Sequence, residues 1–174
     1  MYVLIGISWP FANGDLHLGH VASSLPGDVI ARYHRLKGNH VVLVSGTDCH
    51  GTPIDIKALK ENKSPKEIVD ACHNSFSEDW KNIGLSYDLY NRTDDPFHKE
   101  FVQNLFKKYY EKGYLYEKKE TQLYCENCNL FLADRYILGT CPKCGADIKG
   151  DECEKCNSLL EIKDVLNPRC AICN

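Results

Sequence analysis

The chain has 174 residues, 43% of them apolar, enough to bury a core of the ordinary globular kind. A formal net charge of −3 excludes a broad electrostatic attraction for nucleic acid, so any RNA contact has to be local. The chain does not open on a basic region followed by a long apolar stretch and has no run of about 18 apolar residues, so the expectation is a cytoplasmic protein with no membrane partner.

Tyr2 to Ser8 is a short run of β-branched and aromatic residues that predicts a strand. It leads into Trp9-Pro10-Phe11-Ala12-Asn13-Gly14-Asp15-Leu16-His17-Leu18-Gly19-His20, which puts two imidazoles three residues apart where a strand turns into a helix. Residues at that spacing share a helix face. The free amides and positive dipole end of a first helical turn favour an anion beside them, which points to a phosphate. Gly19, with no side chain, leaves room for a flat ring such as adenine against the backbone. A bare H-x-x-H is weak evidence, because two surface histidines at helical spacing need not bind anything.

Leu18 to Lys37 shows helical spacing in Val21, Leu25, Val29, Tyr33 and Leu36, with Pro26 predicting a kink and Gly38 a stop. His40 to Ser45 predicts a second strand parallel to the first, completing a β-α-β unit whose ligands sit at the carboxyl ends of the strands. The block Gly46-Thr47-Asp48-Cys49-His50-Gly51-Thr52-Pro53-Ile54 falls at that end. Cys49 reads as filler there and Cys72 as a helix core residue. Ser64-Pro65-Lys66-Glu67 forms a capping box that opens a helix to about Ile83, ended by Gly84. Another helix begins at Asp95-Pro96 and carries Phe97, Phe101, Leu105 and Tyr109 at one-turn spacing, most simply a core face. Strand-like Tyr114 to Tyr116 and Gln122 to Tyr124 follow. Lys57, Lys60, Lys63 and Lys66 read as solvated charges.

Eight of the ten cysteines fall into four C-x-x-C pairs in the last third: Cys125/Cys128, Cys141/Cys144, Cys153/Cys156 and Cys170/Cys173. In a cytosolic chain such pairs read as metal ligands rather than disulfides. Four thiolates close a tetrahedral zinc site with no open position for water, so two structural zinc ions are expected and neither is catalytic. The segment is poor in large apolar groups, and metal would supply the folding free energy it lacks. Nesting, with Cys141, Cys144, Cys153 and Cys156 as a compact inner site and Cys125, Cys128, Cys170 and Cys173 closing around it, keeps the inner loop short. Sequential pairing stays open.

The signature run resembles the P-x-x-N-G-x-x-H-L-G-H element of class I aminoacyl-tRNA synthetases and, within them, the methionyl-tRNA synthetases, whose D-x-H-G-T-P-I segment resembles the second block. Nested knuckles are likewise similar to the connective insertion of some members. The resemblance implies an α/β fold: a Rossmann-like parallel-sheet half of the HUP nucleotide-binding type over residues 1–115, with a small zinc-knuckle connective domain over 116–174. It implies joining of the methionine carboxylate to the α-phosphate of Mg2+-bound ATP and transfer of the aminoacyl group to tRNA. Carried onto matching positions, His17 and His20 are the catalytic pair on the ATP phosphates. Asn13 helps to place the phosphates, Gly14 belongs to the same ATP-binding loop, and Gly19 admits the adenine. Asp48 faces the substrate ammonium, although a turn or capping aspartate is also compatible with its position. Trp9 and Phe11 stand beside the methionine side chain where the family commonly has Leu and Tyr.

The family's K-M-S-K-S loop and anticodon-reading helical domain do not occur in these residues. The chain therefore reads as an N-terminal catalytic segment that carries one half of the site and shows little methionine-dependent pyrophosphate exchange alone. The alternative is a stand-alone module that binds methionine, ATP or adenylate, or contacts a partner through its knuckles. A nucleotidyltransferase of another HxGH family is a third reading.

Overall fold

Two parallel strands with a helix between them make up the start of the chain. β1 (Tyr2–Gly6) pairs in parallel with β2 (His40–Thr47), from Tyr2 beside His40 to Gly6 beside Val44. This computed structural model describes residues 1–173 apart from the side chain of Asp134, and Asn174, the last residue of the expected 116–174 segment, lies outside the described residues. Its contacts divide the chain into two compact units, the first spanning Met1–Leu115 and the second beginning at Tyr116.

In the first unit α1 (Leu18–Leu36) crosses from β1 to β2, and Gly38, at φ +75°, ends it. Pro26 lies inside this continuous helix. The expected apolar stripe is not the packed face: Leu25, Val29, Tyr33 and Leu36 are exposed, and Ser24, Asp28 and Ala31 are buried. The reason is distance. A Cβ at Gly27 would stand 2.6 Å from Ile7 Cδ1, so the helix approaches the strands through small side chains at positions 24, 27, 28 and 31, where large ones do not fit. Asp28 is buried there because it is satisfied, accepting from Ser86 N at 2.7 Å and from Arg32 Nε at 2.6 Å.

Two elements are additions to the sequence reading. α2 (Thr52–Glu61) starts directly after Gly51 and buries Ile54, Ile56 and Ala58. β3 (Leu89–Arg92) extends the sheet in the order β1-β2-β3, parallel throughout. Between them α3 (Pro65–Ile83) has the predicted cap: Ser64 Oγ accepts from Glu67 N at 3.2 Å, the Glu67 carboxylate accepts from Ser64 N at 2.8 Å, and Gly84 is left-handed. Its buried face, Ile68, Val69, Cys72, Phe76 and Trp80, meets Ala12, Cys49, Ile54 and Ala58 in the main core. α4 (Pro96–Glu111) is capped by Asp95 as expected, but none of its residues is buried. Phe97, Phe101, Leu105 and Tyr109 are exposed rather than core, because periodicity identifies a face without supplying its partner. Tyr114 to Tyr116 forms no strand.

The second unit is small and all-β apart from two short 3-10 turns. β4 (Tyr124–Cys125) and β5 (Leu130–Phe131) make one hairpin, and β8 (Glu152–Cys153) and β9 (Ser158–Leu159) another. The expected strand over Gln122 to Tyr124 is thus only the start of β4. Antiparallel strands β6 (Ile137–Thr140), β7 (Asp147–Lys149) and β10 (Leu166–Cys170) lie in the order β10-β6-β7. Leu132, Tyr136, Ile137, Ile148 and Val165 are buried there together with the cysteines Cys141, Cys153 and Cys170. So few large groups make a thin core.

Candidate active site and metal centres

The loop after β1 is bound into the end of β2. Ala12 N donates to Asp48 O and Asp48 N to Pro10 O, both at 2.9 Å, making a parallel bridge between Phe11 and Asp48. Trp9 packs against Gly46, where any Cβ would collide with the indole and with the Asn91 carbonyl. The Phe11 ring covers Gly51, whose φ of +145° and 2.8 Å hypothetical Cβ contact to Phe11 Cζ both require glycine. Trp9, Phe11 and Asp48 are therefore brought together at the carboxyl end of the sheet. Among the described residues no cation pairs with the Asp48 carboxylate.

The same loop continues through Asn13, whose carbonyl accepts from Lys57 Nζ at 3.2 Å, so Lys57 is more than a solvated charge. The Gly14 carbonyl faces the Cys72 thiol at 3.9 Å. His17 is then the N-cap of α1. Its Nδ1 accepts from Gly19 N at 3.1 Å, and His20 Nδ1 accepts from His17 N at 3.2 Å, a capping box built from two imidazoles. The rings stack with centroids 3.9 Å apart. Because both Nδ1 atoms accept, the network assigns the ring proton of the neutral form to Nε2 on each, giving two N–H donors beside the helix N-terminus. Burial, and then the neighbouring His17, lower the His20 pKa below its ordinary value, which keeps that ring neutral. Gly19 acquires a second reason to lack a side chain, since a Cβ there would stand 2.9 Å from His17 Cε1.

Behind Asp48 lies a polar layer with no signal in the sequence. Cys49 N donates to Thr93 Oγ1 at 2.8 Å. Burial pushes the Cys49 thiol up, so it is no ready nucleophile. Arg92 forks onto Asp94, with Nη2 2.8 Å from Oδ2, and the same nitrogen reaches Asp70 Oδ1 at 2.7 Å. Burial works against ionisation of Asp94, but the Arg92 guanidinium outweighs it and holds the carboxyl at about 2.

In the second unit the eight sulfurs gather as two sets, Cys125, Cys128, Cys170 and Cys173, and Cys141, Cys144, Cys153 and Cys156, with all four ligand atoms of a set within 4.8 Å of one another. The arrangement is nested. Nearest approaches run from 3.4 Å, Cys125 to Cys173, to 3.8 Å, Cys141 to Cys156, well beyond a disulfide bond. Residues directly after three second cysteines, Asn129, Gly145 and Asn157, have φ of +50°, +72° and +53°, the left-handed turn that folds both sulfurs of a knuckle toward one point. Backbone amides also point at sulfur, Lys143 N to Cys141 and Ile172 N to Cys170, each at 3.4 Å. Burial and the three neighbouring thiols push Cys128 up to about 12, so the four cannot all ionise without a cation among them. Both sets are compatible with zinc.

A family model described as tRNA synthetases class I (M) matches residues 3–174. The chain belongs to this family. As a class I (M) synthetase sequence it is 53% identical over 174 residues to a methionine–tRNA ligase of Streptococcus pneumoniae (strain CGSP14), a match covering the whole chain and 32% of that protein. It is 52% identical over 173 residues to methionine–tRNA ligase 1 of Alkaliphilus oremlandii (strain OhILAs) and 49% identical over 173 residues to a methionine–tRNA ligase of Bacillus mycoides (strain KBAB4), each covering 99% of the chain and 32% of the relative. The chain thus spans about a third of the length of these curated class I (M) relatives. No helix among the described residues is long and apolar enough to cross a membrane.

Proposed function

We propose that this chain is the substrate-binding segment of a methionine–tRNA ligase, which forms methionyl-adenylate from methionine and ATP and passes the aminoacyl group to its tRNA in the cytoplasm. The observation that carries the reading is the imidazole capping box: both Nδ1 atoms are engaged by backbone N–H, so both Nε2–H groups are free to donate to a phosphate at the helix N-terminus. Attack of the methionine carboxylate on the α-phosphate places extra negative charge on the phosphate oxygens as pyrophosphate leaves, and preformed donors stabilise that charge without reorganising. Mg2+ bound with ATP supplies further charge neutralisation on those oxygens.

Residues 1–115 carry this chemistry. His17 and His20 hold the phosphates, with Asn13 and Gly14 in the loop before them and Gly19 between them. Asp48, which pairs with no cation among the described residues, receives the ammonium of methionine, and Trp9 and Phe11 border the thioether side chain. Residues 116–174 form a zinc-knuckle domain in which two structural ions replace a hydrophobic core.

Calorimetric titration of the chain with ATP, with methionine and with a sulfamoyl analogue of methionyl-adenylate tests the reading. The expected order has the analogue tightest, because it spans both subsites. Binding of leucyl and methionyl analogues with equal affinity, or of neither, would overturn it.

A further inference from the structure

We infer that His73, through Thr47, is a positioning residue for the Asp48 carboxylate; the inference rests on the proposed reading of Asp48 as the ammonium partner. Thr47 is the last residue of β2 and is fully buried. Its Oγ1 lies 2.8 Å from His73 Nδ1 on α3 and 3.1 Å from Tyr90 Oη on β3. The His73 ring lies nearly parallel to that of Tyr90, 14° apart in plane and 5.7 Å between centroids.

One hydroxyl carries one proton, so Thr47 donates to one of these two partners and accepts from the other. Burial, and then the nearby Arg92, lower the His73 pKa, which favours the neutral ring. The strand end is thereby held by partners on two separate elements. Successive residues of a strand face opposite ways, so fixing Thr47 against α3 and β3 directs Asp48 to the other face. The Pro10 and Ala12 hydrogen bonds lock the backbone of Asp48 from the side, and the Thr93 hydroxyl holds the next amide. The backbone that carries the Asp48 side chain is thus held from three sides.

Packing alone does not require this arrangement. Ile68, Val69, Cys72, Phe76 and Trp80 already fill the buried face of α3, and an apolar residue at 73 with Val at 47 would satisfy burial without a desolvated polar network. A network maintained where a hydrophobic contact would serve fixes geometry rather than adding stability.

The test uses the 174-residue chain. His73→Leu fills the space without a hydrogen-bonding nitrogen, His73→Asn restores a polar partner near the Nδ1 position, and Tyr90→Phe removes the outer hydroxyl. His73→Leu is expected to weaken methionine binding about tenfold, as loss of one orienting hydrogen bond does, while ATP affinity changes less than twofold. His73→Asn should return methionine affinity to within about threefold of the starting chain, on the same scale. In 15N-resolved spectra without ligand, the Asp48 and Cys49 amide resonances should move in His73→Leu and Tyr90→Phe and return in His73→Asn. Equal loss of ATP and methionine binding, no loss of either, or failure of His73→Asn to rescue would overturn the inference. If the unmodified chain binds no methionine, the reading of Asp48 fails, and the amide shifts alone decide whether His73 sets the strand end. Should His73→Leu fail to fold, Tyr90→Phe carries the same comparison.

Discussion

His17 and His20 cap the start of α1 with Nδ1 of each ring, which leaves Nε2 of each for another partner, and the rings stack with centroids 3.9 Å apart and planes 29° apart. Capping and ligand donation are therefore separable by mutation. His17→Asn retains an N-cap acceptor and loses the outward donor. It is expected to leave the urea unfolding midpoint nearly unchanged, because Asn is among the strongest N-caps, while ATP affinity falls about tenfold for the lost charge-assisted bond. His17→Ala with His20→Ala should lose both the affinity and about 1 kcal/mol of stability. Unaltered nucleotide affinity in both variants would show that the phosphates lie elsewhere.

Protonation should disturb this helix start from below neutrality. The His20 pKa is lowered by burial and then by His17, so the folded chain resists a proton that the unfolded chain accepts near 6.5. A depressed folded value contributes stability above the unfolded pKa that is lost as pH falls through the folded one. Imidazole resonances followed by NMR should show His20 titrating below 6.5, together with loss of amide protection in the first turn of α1. A midpoint above 6.5 would contradict the burial of His20 beside His17.

Asp94 gives an acid-stability prediction of the same sign in a lower window. Its carboxyl is held at about 2 against an unfolded value near 3.8, so its contribution is complete above about pH 4 and is lost as pH falls toward 2. The difference corresponds to about 2 kcal/mol, and the side chain is only 17% exposed, so little of that is screened away. Asp94→Asn should lower neutral-pH stability by about that amount and flatten the acid limb of the stability curve. Chemical denaturation at pH 7 and pH 3 measures both.

Metal should hold the second unit and not the first. Two zinc ions per chain are expected by mass spectrometry of the purified protein. Chelation should abolish amide protection at Ile137 and Ile148 while sparing Leu43 and Phe76. Cys153→Ser and Cys170→Ser should each remove one ion, since they belong to different sets. Loss of both ions from either variant would show that the two sites fold as one.

Gly46→Ala is expected to be among the most damaging small substitutions in the first unit. The added methyl collides with the Trp9 indole and with the Asn91 carbonyl, and the latter is backbone of the neighbouring strand. A cost of about 2 kcal/mol or more, with altered Trp9 fluorescence, is the expected result.

The parts of this molecule that were legible in the sequence are those governed by local rules. Ser64 and Glu67 announce their helix, Gly38 and Gly84 end theirs, and the four cysteine pairs announce metal-binding knuckles, while the choice between nested and sequential sets was left to the fold. What escaped depends on tertiary approach. The true packed face of α1 reads Ser24, Gly27, Asp28 and Ala31, which no hydrophobicity pattern would select, since its rule is closeness of helix to strand. β3 is a polar-looking tetrapeptide that becomes a strand only because the exposed edge of β2 pairs with it. His73 and Tyr90 come from elements remote in sequence, and only the fold brings them to the Thr47 hydroxyl, as it brings Arg92 to Asp70.

The imidazole box also makes one terminus of a helix a sensor of what lies beside it. Any anion that accepts from both Nε2 atoms clamps the rings in the rotamers that satisfy the first turn, so occupancy and end-fraying of α1 become two readings of a single equilibrium. Hydrogen exchange at Gly19 should slow in proportion to saturation, reporting nucleotide engagement without any label on the ligand.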